Sequence, residues 1–306
     1  MSLLDRRVVV VTGKGGVGRS SVSAGLAVAA ARTGRRACVV ELSGMASVPP
    51  MFGLRGRSFD FREAAEGVFV WSLTVPECLD DFGKRKLRLP GLVRRLFRIE
   101  ATRTFVDAIP GLHDLLQLGK IENLVSEPLA GDPHFDLLVV DAPATGHGLT
   151  LLSAPRSMSD IAKAGPFHDL AGNIGTFLED DTRTGVAVVT LPEELPVSES
   201  LELVAELEEL AQPADAMLVN RCFEPPVPTP PGPAAVAEVL GGHPDLASLS
   251  ALLQQASDRY AAQSKALSLL AERVPSLPRL SLPAVDAPAR IPHVIGAVLA
   301  DVLEPS

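Results

Sequence analysis

The sequence has few cysteines and no long apolar segment, and each shortage excludes a class of protein. Of 306 residues only Cys38, Cys78 and Cys222 are cysteines, and no C-x-x-C pair occurs. A sequence-adjacent zinc pair is therefore absent, and we expect no zinc site. No apolar run reaches about 18–20 residues, the length that a membrane-spanning helix needs. The start, MSLLDRRVVVVTG, lacks the longer apolar region of a secretory signal, so we expect a cytoplasmic protein.

Positive charge is also in the minority. The chain has 28 Lys and Arg residues against 37 Asp and Glu residues, which gives a formal net charge of −9. A globally acidic surface argues against coating nucleic acid, so no nucleic-acid partner is expected. The 46% hydrophobic content is ample for a sizeable core. We expect residues 1–306 to form a single large α/β domain with insertions.

Short β-branched runs alternate with helical patterns along the chain. Runs that suit buried strands lie near residues 8–12, 37–42, 137–140, 186–190, 216–219 and 280–282. A glycine-rich loop and an alanine-rich helical segment separate the first two runs, which makes a βαβ unit. The recurrent order predicts a doubly wound, mainly parallel sheet.

Three segments interrupt this alternation. Residues 55–130 and 150–183 have helical apolar spacing, and together they predict a helical subdomain on one edge of the sheet. Residues 224–237 are proline-dense and read as an exposed, semi-rigid loop. The stretch 84–98 is locally basic, so it is either a solvated helical face or a contact for anionic lipid or an acidic partner.

The glycine-rich loop, VTGKGGVGRSS, is typical of phosphate binding. Its glycines let backbone amides converge on an anion at the positive end of the next helix. Ser20 is placed to ligate the magnesium ion that accompanies the β- and γ-phosphates. We therefore predict ATP and Mg²⁺ as ligands, held by Gly13, Lys14, Gly15, Gly16, Val17, Gly18, Arg19, Ser20 and Ser21.

The same loop resembles the deviant phosphate loop K-G-G-x-G-[KR]-[ST]. That pattern marks the ParA, MinD, nitrogenase iron protein and ArsA group of P-loop NTPases. The resemblance implies the fold of that group. It also implies that Lys14 reaches across a dimer interface to the partner's nucleotide, as a catalytic residue together with Arg19 and Asp141.

A second motif, VDAPATGHGLTLLSAP at 140–155, indicates the branch of that group. It is similar to the D-T-A-P-T-G-H-T-L-R signature of the ArsA family. This family contains the arsenite-pump ATPase and the eukaryotic factor that delivers tail-anchored membrane proteins. The resemblance implies that Asp141 is linked to magnesium and that Thr145, Gly146 and His147 form a switch.

Two further positions match the family near the expected adenine. LVNR ends with Asn220 where family members place an adenine-reading asparagine, although an asparagine that ends a strand can also bond to backbone. Pro283, in SLPAVDAP, resembles part of the loop that covers adenine. The arsenical pump binds its metalloid through cysteines, and the wide spacing of cysteines here makes an arsenite site unexpected.

Two departures affect hydrolysis. Arg19 replaces the usual lysine, and arginine is a planar fork rather than a compact charge. Ser43 falls where the family has an aspartate that orients the attacking water, and Glu41 is the nearby carboxylate that could substitute. Because phosphoryl transfer depends on charge placement and on positioned water, we expect retained ATP binding with weak or partner-dependent hydrolysis.

The partner expectations follow from the single copy of the loop. Lys14 needs a second site, so we expect a homodimer or a heterodimer with a second ArsA-like chain. The helical subdomain would then serve a hydrophobic client or a membrane protein. Two alternatives stay open: a regulatory subunit that binds ATP without hydrolysis, and a positioning ATPase of the ParA/MinD type.

Overall fold

An eight-stranded sheet forms the centre of the protein in this computed structural model. The structure describes residues 2–42, 46–86, 108–128, 131, 133–142, 147–227, 232–241, 246–285 and 290–303. The strands are β1 (Val8–Thr12), β2 (Ala37–Glu41), β3 (Arg62–Ala65), β4 (Val68–Ser72), β5 (Leu137–Asp141), β6 (Thr184–Thr190), β7 (Ala216–Cys222) and β8 (Arg279–Pro283). Their order is β3-β4-β2-β5-β1-β6-β7-β8. Within these ranges all pairs are parallel except β3 with β4, which confirms the predicted doubly wound fold.

Alternate residues of the central strands face two different cores. Val8 and Val10 belong to one apolar cluster, whereas Val9 and Val11 belong to the other. This separation follows from the two-residue period of a strand. All five residues of β1 are buried, because helices cover both faces of a parallel sheet.

Helices cover both faces. On one face α1 (Arg19–Arg32) packs against α9 (Ile291–Leu303). Among the described residues, apolar side chains of six helices join the core on the other face, and α7 (Gly232–Gly241) packs against the last of them. The six are α2 (Val75–Lys86), α3 (Leu112–Ser126), α4 (His147–Ile161), α5 (Pro166–Glu179), α6 (Glu194–Glu209) and α8 (Ala247–Arg273).

The two predicted insertions supply helices α2 to α5. Their buried residues, such as Leu115, Leu151 and Ile174, share one apolar cluster with Val8 and Val10 of the central strand. These helices therefore lie over a face of the sheet and are continuous with its core. Residues 87–107, which include most of the basic stretch, lie outside the described residues.

A β-hairpin corrects the expectation that residues 55–130 are helical in character. β3 and β4 are joined by two residues, the second of which is Gly67 with φ of +73°. β4 pairs with β2 in parallel and extends the sheet. The sequence REAA of β3 has no strong β-forming residue, so its strand depends on pairing with β4.

The proline-dense segment 224–237 also needs a correction. Residues from Gly232 onward form α7, so the end of this segment is helical and not a loop. Pro233 sits in the first turn, where a missing N–H costs no helical hydrogen bond, and alanines follow it. In the described part of the chain, no helix has the length and apolarity that crossing a membrane requires.

Candidate nucleotide site

The phosphate loop leaves the end of the central strand β1 and leads directly into α1. Gly13, Gly16 and Gly18 all have positive φ, at +152°, +81° and +90°. Residues with side chains rarely adopt such angles, so the glycines permit the turn. Gly18 is the N-cap of α1, and the positive end of that helix therefore faces the loop.

At two of these positions close packing is a second reason why only glycine fits. A Cβ atom on Gly13 would overlap the carbonyl oxygen of Val189 in β6. A Cβ atom on Gly18 would overlap the side-chain amide of Asn220 in β7. Neighbouring strands therefore hold the loop at both ends. Gly15 and Gly16 between them are exposed, and Lys14 is half-buried.

Asp141 lies beside the first turn of α1 and is 3% exposed. The Ser20 hydroxyl donates to its Oδ2 at 2.7 Å, and the Ser23 hydroxyl donates to its Oδ1 at 3.3 Å. Burial raises the pKa of Asp141 to about 6, although the Ser20 hydrogen bond and the charge of Arg19 act in the opposite direction. Ser20 and Asp141, which the sequence predicts to hold magnesium, are therefore in direct contact although they are far apart in sequence.

Arg19 is turned toward its own loop. Its guanidinium donates to the carbonyl oxygen of Gly13 at 3.1 Å. Burial lowers the pKa of Arg19, and the negative charge of Asp141 offsets part of that effect. The positive charge therefore stays at the phosphate loop, but one of its N–H groups binds backbone. Ser21 follows in the first turn of α1 and is half-buried.

Asn220 is also engaged with the loop. Its Nδ2 donates to the carbonyl oxygen of Val17 at 2.9 Å, and its Oδ1 accepts from the amide of Arg221 at 2.9 Å. The side chain is 3% exposed. The pairing of β7 with β8 shifts in register between Val219 and Cys222, so Asn220 lies at an irregular point of the strand. An amide side chain has two N–H donors and two acceptor sites, and these two bonds use one of each.

Glu41 is buried, and both oxygens of its carboxylate accept hydrogen bonds from neighbours. Oε1 accepts from the amides of Ser47 and Val48, at 2.8 and 2.9 Å, and Oε2 accepts from the Ser72 hydroxyl at 2.9 Å. Such an arrangement holds a loop and does not present a base to water. The idea that Glu41 substitutes for a water-orienting aspartate is not favoured by these contacts.

The remaining predicted site residues are Ser43, the segment 145–147 and Pro283. Ser43, Thr145 and Gly146 lie outside the described residues, and His147 is described only as the first residue of α4. The next residue, Gly148, packs so closely on Thr12 of β1 that a Cβ atom would overlap the threonine hydroxyl. The start of α4 is therefore fixed beside the phosphate loop. Pro283 ends β8 and is half-buried.

A cavity of about 1050 Å³ is lined in part by Arg221 and Ala284, which follow Asn220 and Pro283 in sequence, and we call it the base end of the candidate site. The sequence analysis did not predict this cavity, because its lining comes from four segments that are far apart in sequence. Phe223 is held there from two sides: Gln263 exchanges two 2.8 Å hydrogen bonds with its backbone, and the Arg259 guanidinium lies 5.0 Å from its ring centroid. The lining includes Glu193, Glu194, Arg221, Phe223, Arg259, Lys265, Glu272, Ala284 and Val285.

Comparison with known proteins agrees with this geometry. The family described as "Anion-transporting ATPase" matches residues 92–166 and 166–230, and one described as "NUBPL iron-transfer P-loop NTPase" matches residues 4–73. "ATPase BagA" of Mycobacterium tuberculosis is 32% identical over 91% of this chain and 87% of its own length. The chain belongs to the ArsA family of P-loop ATPases.

More distant relatives carry more varied names. "ATPase GET3B" of Arabidopsis thaliana is 25% identical over 72% of this chain and 65% of its own length. "Putative arsenical pump-driving ATPase 2" of Aquifex aeolicus is 25% identical over 70% of this chain and 80% of its own length. The resemblance inferred from KGGVGRS and DAPATGHGL is thereby confirmed at the level of the family.

Proposed function

We propose that this ArsA-family protein is a cytoplasmic, dimeric switch that binds ATP with magnesium and hydrolyses it weakly or with a partner's help. The contact between Ser20 and Asp141 carries the proposal. It places a hydroxyl and a carboxylate beside the loop whose glycines have the conformations that phosphate binding needs.

The donor set suits magnesium. Mg²⁺ prefers oxygen ligands and keeps several waters, so it uses few protein atoms. The Ser20 hydroxyl would bind the ion directly, and Asp141 would hold it through water. When bound, the ion would neutralise charge on the β- and γ-phosphates. The raised pKa of Asp141 fits a carboxylate whose environment is completed by a cation.

The base end supports a nucleotide over phosphate alone. The cavity at the base end offers an aromatic ring, three cationic and three anionic side chains, and apolar wall residues. These groups suit a base and a ribose. Asn220 would donate and accept at the edge of the base with the sites that Val17 and Arg221 leave open.

The state of the hydrolytic residues supports slow turnover. Arg19 spends a hydrogen bond on the Gly13 carbonyl, and a serine at position 43 cannot attract a proton from water as a carboxylate does. Binding needs the loop amides more than it needs these two groups. ATP binding should therefore survive better than hydrolysis.

Dimerisation is proposed through Lys14. This half-buried lysine, beside the exposed Gly15 and Gly16, would reach a partner's nucleotide. Either a second copy or another ArsA-like chain would complete the pair, and the helices on the sheet face would serve a client or a membrane partner. A regulatory subunit without turnover is the second candidate, since the same departures at Arg19 and Ser43 support it. A ParA/MinD-type role ranks third, with the match at residues 4–73.

The test is ATP binding and turnover by the purified chain, beside Arg19→Lys, Ser43→Asp and the double variant. We expect binding by all four proteins, slow turnover by the wild type and faster turnover by the double variant. Fast turnover by the wild-type chain alone would reject weak hydrolysis. Absence of nucleotide binding would reject the whole proposal.

A further inference from the structure

The carboxylate of Glu41 ties together three pieces of chain at the edge of the nucleotide site. It is 0% exposed and accepts from two successive backbone amides, Ser47 and Val48, as well as from the Ser72 hydroxyl. Buried carboxylates are costly unless donors satisfy them, so the position needs a specific reason.

Glu41 is also next to the site itself. It pairs in register with Asp141 of β5 on one side and with Ser72 of β4 on the other. The Leu42 amide donates to the Asp141 carbonyl oxygen at 3.5 Å, and the Leu73 amide donates to the Glu41 carbonyl oxygen at 3.0 Å. The Asp141 carboxylate in turn accepts a hydrogen bond from the Ser20 hydroxyl in the first turn of α1. A continuous chain of contacts therefore runs from the phosphate loop to Ser47 and Val48.

The anchored segment reaches further across the molecule. Val48 is completely buried and precedes the short 3₁₀ turn Pro49–Phe52. The Phe52 ring meets the His293 ring of α9 edge-on, with centroids 6.1 Å apart. Helix α9 packs along α1, which begins at the phosphate loop. Any shift of this segment must therefore be accommodated beside α1.

We propose that Glu41 is a positioning residue that couples segment 46–54 to the occupancy of the nucleotide site. It acts through Asp141 on one side and through the Ser47 and Val48 amides on the other, and does not touch the nucleotide. The proposal rests on MgATP binding as proposed above.

The experiment measures hydrogen exchange of segment 46–54 in the full-length chain, with and without MgATP, in four variants. Glu41→Ala removes every acceptor, whereas Glu41→Gln keeps an oxygen for the two amides and an N–H₂ group that can donate to the Ser72 hydroxyl. Ser72→Ala removes one donor and keeps the carboxylate. Glu63→Ala, at an exposed glutamate on β3, is the matched control.

Without nucleotide, we expect exchange at Ser47 and Val48 to rise about tenfold in Glu41→Ala, which loses the acceptor of both amides. We expect a rise of about threefold in Ser72→Ala, where the carboxylate keeps both amide bonds but loses the hydroxyl that holds its other oxygen. Glu41→Gln and the control should stay near the wild-type rate. MgATP should slow exchange of the segment in the wild type and in Glu41→Gln, and should not in Glu41→Ala. The affinity of Glu41→Ala for MgATP should stay within about threefold.

The outcomes separate the two proposals. If the wild-type chain binds no MgATP, the proposed function fails and the coupling fails with it. If Glu41→Ala binds MgATP and the segment is still slowed as in the wild type, only the role of Glu41 is overturned. If Glu41→Ala does not fold, Ser72→Ala decides: slowing of the segment by MgATP to the same extent as in the wild type would overturn the proposal.

Discussion

The phosphate end and the base end of the candidate site are built in different ways. At the phosphate end, consecutive residues 13–20 form the loop, and strands β6 and β7 press on its glycines. At the base end, α6, β7, α8 and the segment after β8 each supply a few side chains around a cavity. The phosphate end is therefore formed by consecutive residues, whereas the base end forms only when elements distant in sequence pack together.

The contrast has a functional consequence. Substitutions at the phosphate end should weaken any ligand that carries a triphosphate. Substitutions at the base end should weaken ATP and leave inorganic tripolyphosphate unaffected. Comparing the two ligands on the same variant therefore separates the two ends.

The largest effect is expected for Asp141→Asn at the phosphate end. The folded pKa of about 6 lies above the ordinary value of 3.8, so the folded protein binds this proton more tightly than the unfolded chain does. In the absence of magnesium, the free energy of unfolding therefore falls as pH rises from about 3.8 to about 6. Above about pH 6 the charged carboxylate lowers the free energy of unfolding by up to about 3 kcal/mol.

Asparagine cannot charge, so Asp141→Asn should be more stable than the wild type by up to about 3 kcal/mol at pH 7.5 and by roughly half of that at pH 5. Urea unfolding in EDTA without nucleotide measures both values. Asp301→Asn, on the exposed surface of α9, serves as the control. A variant less stable than the wild type at pH 7.5 would show that the buried charge is not a cost.

Gly18→Ala should weaken ATP and tripolyphosphate alike, by about 30-fold or more, because φ of +90° is strained for alanine and the new Cβ would displace Asn220. Gly34→Ala is the matched control, with φ of +83° and open space around the position. Titration calorimetry with both ligands measures the change. Weakening of ATP alone would contradict a purely local phosphate end.

Asn220 lies where the two ends meet, and its substitution sharpens the boundary. Its bond to the Val17 carbonyl predicts that Asn220→Ala weakens tripolyphosphate about tenfold, and its proposed contact with the base predicts a larger loss for ATP. Asn123→Ala removes another buried asparagine that donates to a backbone carbonyl, in α3, and should change neither affinity. If ATP alone weakens, Asn220 belongs to the base end.

The smallest effect is expected for Arg259→Ala at the base end. Loss of its contact with the Phe223 ring should weaken ATP by about threefold and leave tripolyphosphate unchanged, since a cation–π contact contributes about 0.5–1 kcal/mol. Arg183→Ala removes a similar contact with Phe177, at the opposite end of β6, and should affect neither ligand. Equal weakening of both ligands would place Arg259 with the phosphate end.

Sequence patterns predicted most of the sheet but not its edge. The runs of valine in β1, β2 and β5 are long enough and apolar enough to indicate buried parallel strands. The strand β3, with sequence REAA, carries no such signal and forms because β4 pairs with it. The prolines of segment 224–237 predict a loop over its whole length, but its alanines favour the helix that begins at Gly232.

By itself, the sequence determined the phosphate loop, the buried parallel strands of the central sheet and the family. These features depend on neighbours along the chain: glycine conformations, helix polarity and alternation of apolar residues. Only the tertiary structure decided the partners of Glu41, the direction of Asn220 and the cavity around Phe223. Those contacts join residues far apart in sequence, and the packing of whole elements brings them within hydrogen-bonding distance.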